Sequence, residues 1–153
     1  MKPARPAMLL IAAMLTTFVT TAAFAQNSPM GLWRSLDDKT GEAKAEIRIA
    51  ESGGLINGKI EKRLAKGTDA NALCTECKDD RKGKPIQGLE ILRSAPKDPA
   101  QAGGSVWEGG KILDPENGRE YTLRMTPIEG GKKLEVRGSI GPFGRTQTWV
   151  RAE

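Results

Sequence analysis

Apolar and polar side chains alternate along most of the chain after residue 30. In the run 43–50, positions 45, 47 and 49 are alanine or isoleucine, and positions 44, 46 and 48 are charged. A period of two is that of a half-buried β-strand. The alternation predicts strands over residues 31–36, 43–50, 55–64, 85–93, 106–113, 119–128, 133–140 and 145–151.

Most of the predicted strands are joined by short turns rich in Gly, Asn, Asp and Pro. Asp114-Pro115-Glu116-Asn117-Gly118 is one such turn, because Pro presets φ and Asn-Gly accepts positive φ. Only residues 65–84 and a polar loop over 94–104 interrupt the rhythm. Sequential strands with short turns pair antiparallel, and closure removes exposed edges. We therefore predict an all-β fold, a single eight-stranded antiparallel up-and-down barrel, with a Greek-key sandwich as the alternative.

The first 25 residues have the plan of a secretory signal peptide. Lys2 and Arg5 provide a basic start, an apolar run follows over residues 7–19, and Ala23-Phe24-Ala25 places small residues where a peptidase cleaves. The apolar run is shorter than the roughly 20 residues that span a bilayer. We predict a signal peptide over 1–25, cleavage near Ala25, a β-barrel domain over 26–153 without a membrane span, and a periplasmic or secreted location.

Composition narrows the function. Residues 26–153 contain 22 basic and 19 acidic side chains, a net charge of +3, which is a weak argument for a nucleic-acid partner, and we predict none. The chain has no histidine, which excludes Ser-His-Asp and Cys-His catalysis and imidazole-ligated metals. The adjacent pairs Asp37-Asp38 and Asp79-Asp80 lie in predicted turns and do not suggest a glycosidase. We predict no enzymatic activity, no metal and no cofactor.

Gly31-x-Trp33 opens the first strand, and the last strand contains Arg145 and Arg151. A guanidinium from the end of the chain can stack on an indole at its start and hydrogen-bond to nearby carbonyl groups. This pattern is similar to the closure of lipocalin-like (calycin) barrels. The alternative is a core Trp with unrelated surface arginines, and the chain ends too soon after Arg151 for the helix that usually follows a full lipocalin barrel.

Cys74-Thr75-Glu76-Cys77 is the sharpest local motif. In an exported protein, two cysteines most often form a disulfide, and we predict one between Cys74 and Cys77. A redox dithiol is the second interpretation, although no strand–helix setting for one is predicted. A metal site would need ligands from Glu76, Asp79, Asp80 or a second chain.

Residues 79–85 follow the cysteine motif and carry two acidic residues followed by three basic ones. They are predicted to form either a solvated turn whose charges neutralise one another or a recognition loop for a charged headgroup.

Taken together, the motifs resemble an exported bacterial family known as domain of unknown function 2147. The resemblance extends from about Met30 to Glu153. Its matching segments are Gly31-Leu32-Trp33, residues 41–47, Cys74-x-x-Cys77, residues 80–88, residues 107–115 and residues 144–149. It implies a periplasmic or secreted lipocalin-like barrel and implies no established activity.

We therefore predict a protein that binds a small hydrophobic or amphipathic molecule. Trp33, Tyr121 and Arg145 are the candidate ligand-binding residues. Few aromatic residues and many glycines suggest a thin apolar lining. A barrel filled by its own side chains, with no ligand, is therefore an alternative. The alternatives are an envelope interaction or structural module that acts through an exposed strand edge or through residues 65–84, and a thiol–disulfide redox protein that uses Cys74 and Cys77. The sequence does not indicate an oligomeric state.

Overall fold

The computed structural model describes residue 1, residues 27–96 and residues 106–153. Apart from residue 1, the predicted signal peptide lies outside these ranges, as does most of the predicted 94–104 loop. Eight strands are present in the described part of the chain, and their bounds are β1 (Gly31–Leu36), β2 (Ala43–Ser52), β3 (Leu55–Arg63), β4 (Glu90–Pro96), β5 (Trp107–Asp114), β6 (Arg119–Ile128), β7 (Lys133–Ile140) and β8 (Phe143–Arg151). A 3₁₀ turn, Glu129–Gly131, joins β6 to β7.

The strands form a closed barrel in the order β1 to β8, with each strand antiparallel to its neighbours. Trp33 is paired with Arg151 and Arg34 with Val150, so the first and last strands close the sheet. The predicted up-and-down barrel is confirmed, and the Greek-key sandwich is excluded. No helix within the described ranges is long and apolar enough to cross a membrane.

The fourth strand was predicted too early. It begins at Glu90 and runs to Pro96, whereas Pro85 makes an isolated bridge to Leu73. Pro85 has no N–H to donate, and Gly88 has a φ of +86°, so the extended run cannot start before Leu89. β4 also continues into the predicted loop, because Pro96 pairs with Leu55 at the start of β3.

The end of the barrel where β1 begins and β8 ends is closed, and we call it the floor. The guanidinium of Arg151 stacks over the Trp33 indole, with Cζ 4.1 Å from the ring centroid. It also donates to the carbonyl oxygens of Ser28, Met30 and Gly131 at 3.0, 3.0 and 2.5 Å. Trp33 is fully buried and donates from Nε1 to the Pro29 carbonyl at 2.7 Å. The predicted cation–indole closure is therefore present, and Arg151 supplies the cation.

The half of the barrel next to the floor is a packed apolar core. It accounts for much of the hydrophobic stabilisation, since each fully buried aliphatic side chain contributes about 1.5–3 kcal/mol. Its buried members include Trp33, Ile49, Ile56, Leu92, Trp107, Leu123, Met125 and Leu134. The opposite end of the barrel, which we call the mouth, carries the segments that join β1 to β2, β3 to β4, β5 to β6 and β7 to β8.

Candidate functional site

The mouth opens into a cavity of about 640 Å³, which we call the main cavity. The volume falls within the range of small-molecule sites, about 300–1,000 Å³. It exists because the inward positions near the mouth carry small residues, including Ser35, Ala45 and Gly138, which leave the barrel unfilled. The inner wall of the main cavity is mainly apolar and includes Ala45, Ile47, Ile60, Ile91, Ile112, Val136 and Trp149.

A polar group lies on the inner wall among these apolar side chains. Gln147 is half-buried, and its Oε1 accepts a hydrogen bond from Trp149 Nε1 at 3.3 Å. Tyr121 also lines the main cavity, and its hydroxyl accepts a hydrogen bond from Asn117 Nδ2 at 3.4 Å. A ligand within the main cavity therefore meets apolar contacts with a few polar groups that can orient it.

Charged side chains of both signs surround the mouth. Arg145 is paired with Asp38, and Lys44 Nζ lies 3.1 Å from Glu116 Oε1. Among the described residues, the charged ones that line the cavity are Asp37, Asp38, Lys44, Arg63, Asp114, Glu116, Arg119 and Arg145.

Two of these carboxylates hold turns in place. Asp37 Oδ1 accepts the backbone N–H groups of Lys39 and Thr40, both at 2.9 Å. The Thr40 N–H, followed by that of Lys39, holds the pKa of Asp37 below its usual value, because both favour the ionised carboxylate. Asp114 similarly accepts hydrogen bonds from the Glu116 N–H and from Asn117 Nδ2, at 2.9 Å each.

Residues 64–89 form a long loop at the mouth, and a disulfide between Cys74 and Cys77 staples it. Both cysteines are buried, and Cys74 Sγ lies 3.7 Å from the Pro115 carbonyl oxygen in the β5–β6 turn. The predicted disulfide is present, so neither sulfur is free to ligate a metal. The described residues contain no cluster of three or more side chains suited to a metal ion.

Arg81 anchors the same loop to the barrel wall. Its side chain is only 1% exposed, although it carries a full charge. Arg81 Nε lies 3.0 Å from Asp79 Oδ2, and its terminal nitrogens donate to Glu120 Oε1 at 2.8 Å and to the Glu90 carbonyl at 3.2 Å. The hydrogen bonds from Arg81 hold the pKa of Asp79 below its usual value.

Asp80 makes a second anchor, since its carboxylate is bound at two points by Arg93, at 2.7 and 2.9 Å. Arg93 lies on β4, so this pair also ties the loop to the barrel. The charges of residues 79–85 are thus largely paired within the protein. This arrangement resembles the predicted self-neutralising turn more than the predicted headgroup loop.

Two of the three predicted ligand-binding residues line the main cavity. Tyr121 is on its wall and Arg145 is at its rim, whereas Trp33 lies at the floor beneath Arg151 and is not among the lining residues. Gln147 and Trp149 also line the main cavity and share the inward face of β8 with Arg145, a spacing of two that could have predicted them. Arg119 lines it as well and precedes Tyr121 by two positions on β6.

Comparisons with known proteins agree with this geometry. Residues 31–151 match a family described as an uncharacterized protein conserved in bacteria, DUF2147. Among solved structures, the fold is similar to that of protein HP1028 from the human pathogen Helicobacter pylori, which is described as belonging to the lipocalin family. The TM-score is 0.67 at 18% sequence identity, and the alignment covers 82% of this chain and 84% of that one. A search of curated proteins found no match. With the family match spanning the whole barrel, this chain belongs to the bacterial family DUF2147.

Proposed function

We propose that this protein binds a small amphipathic molecule in the main cavity. The observation that carries the proposal is a 640 Å³ space whose inner wall is apolar and whose rim is charged. At about 30 Å³ for each water-sized group, this space holds roughly 20 such groups. The apolar part of the ligand lies against Ile47, Val136 and Trp149, and its polar end lies at the mouth.

The size of the cavity sets the expected affinity. A ligand of roughly 20 non-hydrogen atoms at about 0.3 kcal/mol for each atom gains about 6 kcal/mol, a Kd of tens of micromolar. The fixed loop and the closed barrel favour binding, because a preformed site loses little conformational entropy when it is filled.

Tryptophan fluorescence tests the proposal directly. Trp149 lines the main cavity, whereas Trp33 and Trp107 lie in the packed half. Titration with single-chain amphiphiles of twelve carbons, below their micelle-forming concentrations, is expected to change the emission of Trp149 and to saturate. Native mass spectrometry of gently purified protein gives an independent readout of a bound molecule.

A matched pair of substitutions on β2 identifies the main cavity as the site. Ala45→Leu places extra carbon atoms in the main cavity, whereas Ala50→Leu makes the same change at an exposed position of the same strand. We expect Ala45→Leu to weaken binding about fivefold, because its three added carbon atoms displace about three ligand atoms at about 0.3 kcal/mol each. Absence of binding to the unsubstituted protein, or equal weakening by the two substitutions, would contradict the proposal.

We also propose that the protein works in the periplasm or outside the cell, after cleavage near Ala25, and has no catalytic role. The signal-peptide pattern and a disulfide of the kind that persists in oxidising compartments support this location. The intact mass of the protein isolated from a periplasmic fraction tests it. Retention of residues 1–25, or a cytoplasmic location, would refute it.

A further inference from the structure

A second, smaller cavity of about 380 Å³ lies beside the mouth, and we call it the side pocket. Leu113, Arg119 and Ile140 line both the side pocket and the main cavity, so the two spaces share a wall. The residues around the side pocket are Lys78, Asp79, Leu113, Gly118, Arg119, Glu120 and Ile140.

The carboxylates of the side pocket are already engaged. Asp79 and Glu120 both bind the buried Arg81, which lies behind them. The two carboxylates are thus paired with Arg81, and a ligand in the side pocket can bind without breaking these pairs. Asp114 is the cross-strand partner of Arg119, but its carboxylate accepts hydrogen bonds within the β5–β6 turn.

The cations of the side pocket, in contrast, have unused hydrogen-bond donors. Lys78 and Arg119 are exposed, and within the described ranges neither side chain makes a salt bridge or a hydrogen bond. Arg145 at the rim differs, because it is already paired with Asp38. A guanidinium and an ammonium therefore face a small space whose acceptors are occupied, next to an apolar cavity.

We propose that the ligand carries an anionic head of the phosphate or sulfate type, which Arg119 and Lys78 bind in the side pocket. The apolar part of the same molecule lies in the main cavity, so this inference rests on the proposed ligand binding. Arg119 supplies paired N–H donors that match two oxygens of such a head, and Lys78 supplies a point charge. Because Leu113 and Ile140 line both spaces, we expect one molecule to reach from the main cavity into the side pocket.

Three probes with the same chain and different heads test the assignment. These are dodecyl phosphate, dodecylphosphocholine and dodecyltrimethylammonium, titrated against the full protein below their micelle-forming concentrations. The buffer contains about 150 mM salt, which screens exposed charges more than about 8 Å apart. We expect dodecyl phosphate to bind about tenfold or more tightly than dodecyltrimethylammonium, since charge-assisted hydrogen bonds are the strong ones. Inorganic phosphate, the fourth arm, is expected to compete only weakly, because it lacks the apolar part.

Variants locate the head. Arg119→Gln is expected to reduce the preference for dodecyl phosphate about fivefold, and Lys78→Gln to reduce it by a smaller factor, as expected for a single point charge. Arg124→Gln is the matched control, because it makes the same change on the outer face of β6, where Arg124 pairs with Glu108 at 2.9 Å. Arg119 and Lys78 have no side-chain partners within the described ranges, so their replacement is expected to leave the fold intact.

Each outcome separates this inference from the proposed function. If all three probes bind equally well, or if Arg124→Gln has the same effect as Arg119→Gln, the head assignment is wrong while ligand binding stands. If inorganic phosphate competes as strongly as dodecyl phosphate, the side pocket takes a free anion and the single-molecule assignment is wrong. If no probe binds, the proposed function fails, and this inference fails with it.

Discussion

Gly118 is the point where the disulfide segment rests on the barrel, and its replacement tests that contact. Gly118 has a φ of +67°, in the left-handed region. A Cβ atom there would lie 1.8 Å from the Glu76 carbonyl oxygen and 2.4 Å from its carbon. Because these are backbone atoms, the Gly118→Ala protein relieves the overlap only by moving residues 74–77 away from the β5–β6 turn.

The expected loss of stability has two parts. The left-handed conformation costs an alanine about 1–2 kcal/mol, of which about 0.4–1 kcal/mol is offset by the lower entropy of its unfolded chain. The overlap adds an overpacking cost of about 1–3 kcal/mol. Gly53→Ala isolates the first part, because Gly53 has a φ of +61° and a Cβ there would have no neighbour within 4 Å. We expect Gly118→Ala to be less stable than Gly53→Ala by about 2 kcal/mol.

Urea unfolding followed by tryptophan fluorescence measures this difference, since the midpoint multiplied by the slope gives the free energy of unfolding. Both variants should keep the slope of the parent protein. If the two alanine variants lose the same stability, residues 74–77 do not rest on Gly118, and the loop is not fixed to the β5–β6 turn at this point. If Gly118→Ala also weakens ligand binding while Gly53→Ala does not, the contact shapes the mouth as well.

Three further predictions concern the loop and the floor. Replacing both Cys74 and Cys77 with Ala should lower the free energy of unfolding by about 2 kcal/mol, because the disulfide closes only a short ring. The disulfide is buried, so it should resist dithiothreitol until urea opens the loop. Rapid reduction in native buffer, measured by thiol titration, would instead favour redox activity. Arg81→Met should cost about 2–3 kcal/mol in urea unfolding, because it removes the cation that the partly exposed carboxylates of Asp79 and Glu120 share. Arg81 lowers the pKa of Asp79, so the stabilisation by this pair is complete above the ordinary pKa of 3.8 and is lost as the pH falls below it. Arg81→Met should therefore flatten the acid side of the plot of stability against pH. An unchanged plot would contradict this. Arg151→Lys should lower the free energy of unfolding by about 2 kcal/mol, because hydrogen bonds to carbonyl groups and the stacking on Trp33 are lost. Ligand affinity should not change, and weaker binding would show that the floor and the mouth are coupled.

The barrel was predictable because its information is local. Alternation sets the inward face of each strand, and turn residues set the antiparallel order, so β2 and β7 were found at or near their observed bounds. The closure was also predictable, because Gly31-x-Trp33 and a basic last strand mark it in the sequence, and of Arg145 and Arg151 it is Arg151 that stacks on Trp33. The start of β4 was not, since residues 85–89 alternate like a strand, but the Ile86 N–H donates to Ala72 in the loop and the Leu89 N–H turns back to Ile86.

The site was only partly predictable, because burial and charge pairing depend on contacts between distant residues. Arg145 looked available in the sequence, yet Asp38 from the β1–β2 turn pairs with it. Arg81 looked like a surface charge in a polar loop, yet Glu120 lies 39 positions away and helps to bury it. The open main cavity also reverses the expectation of a thin lining, because aliphatic side chains and one Trp form its inner wall where aromatic residues are few.

The pairing of Trp33 with Arg151 places the two ends of the folded chain side by side at the floor. A short linker between them would allow circular permutation, with new termini between Gly53 and Gly54, a turn at the same end with open space around both residues. Such a permuted chain, or one attached to a surface at the floor, would keep the mouth, the main cavity and the side pocket facing solution. The architecture thus separates the end that can be attached from the end that can bind.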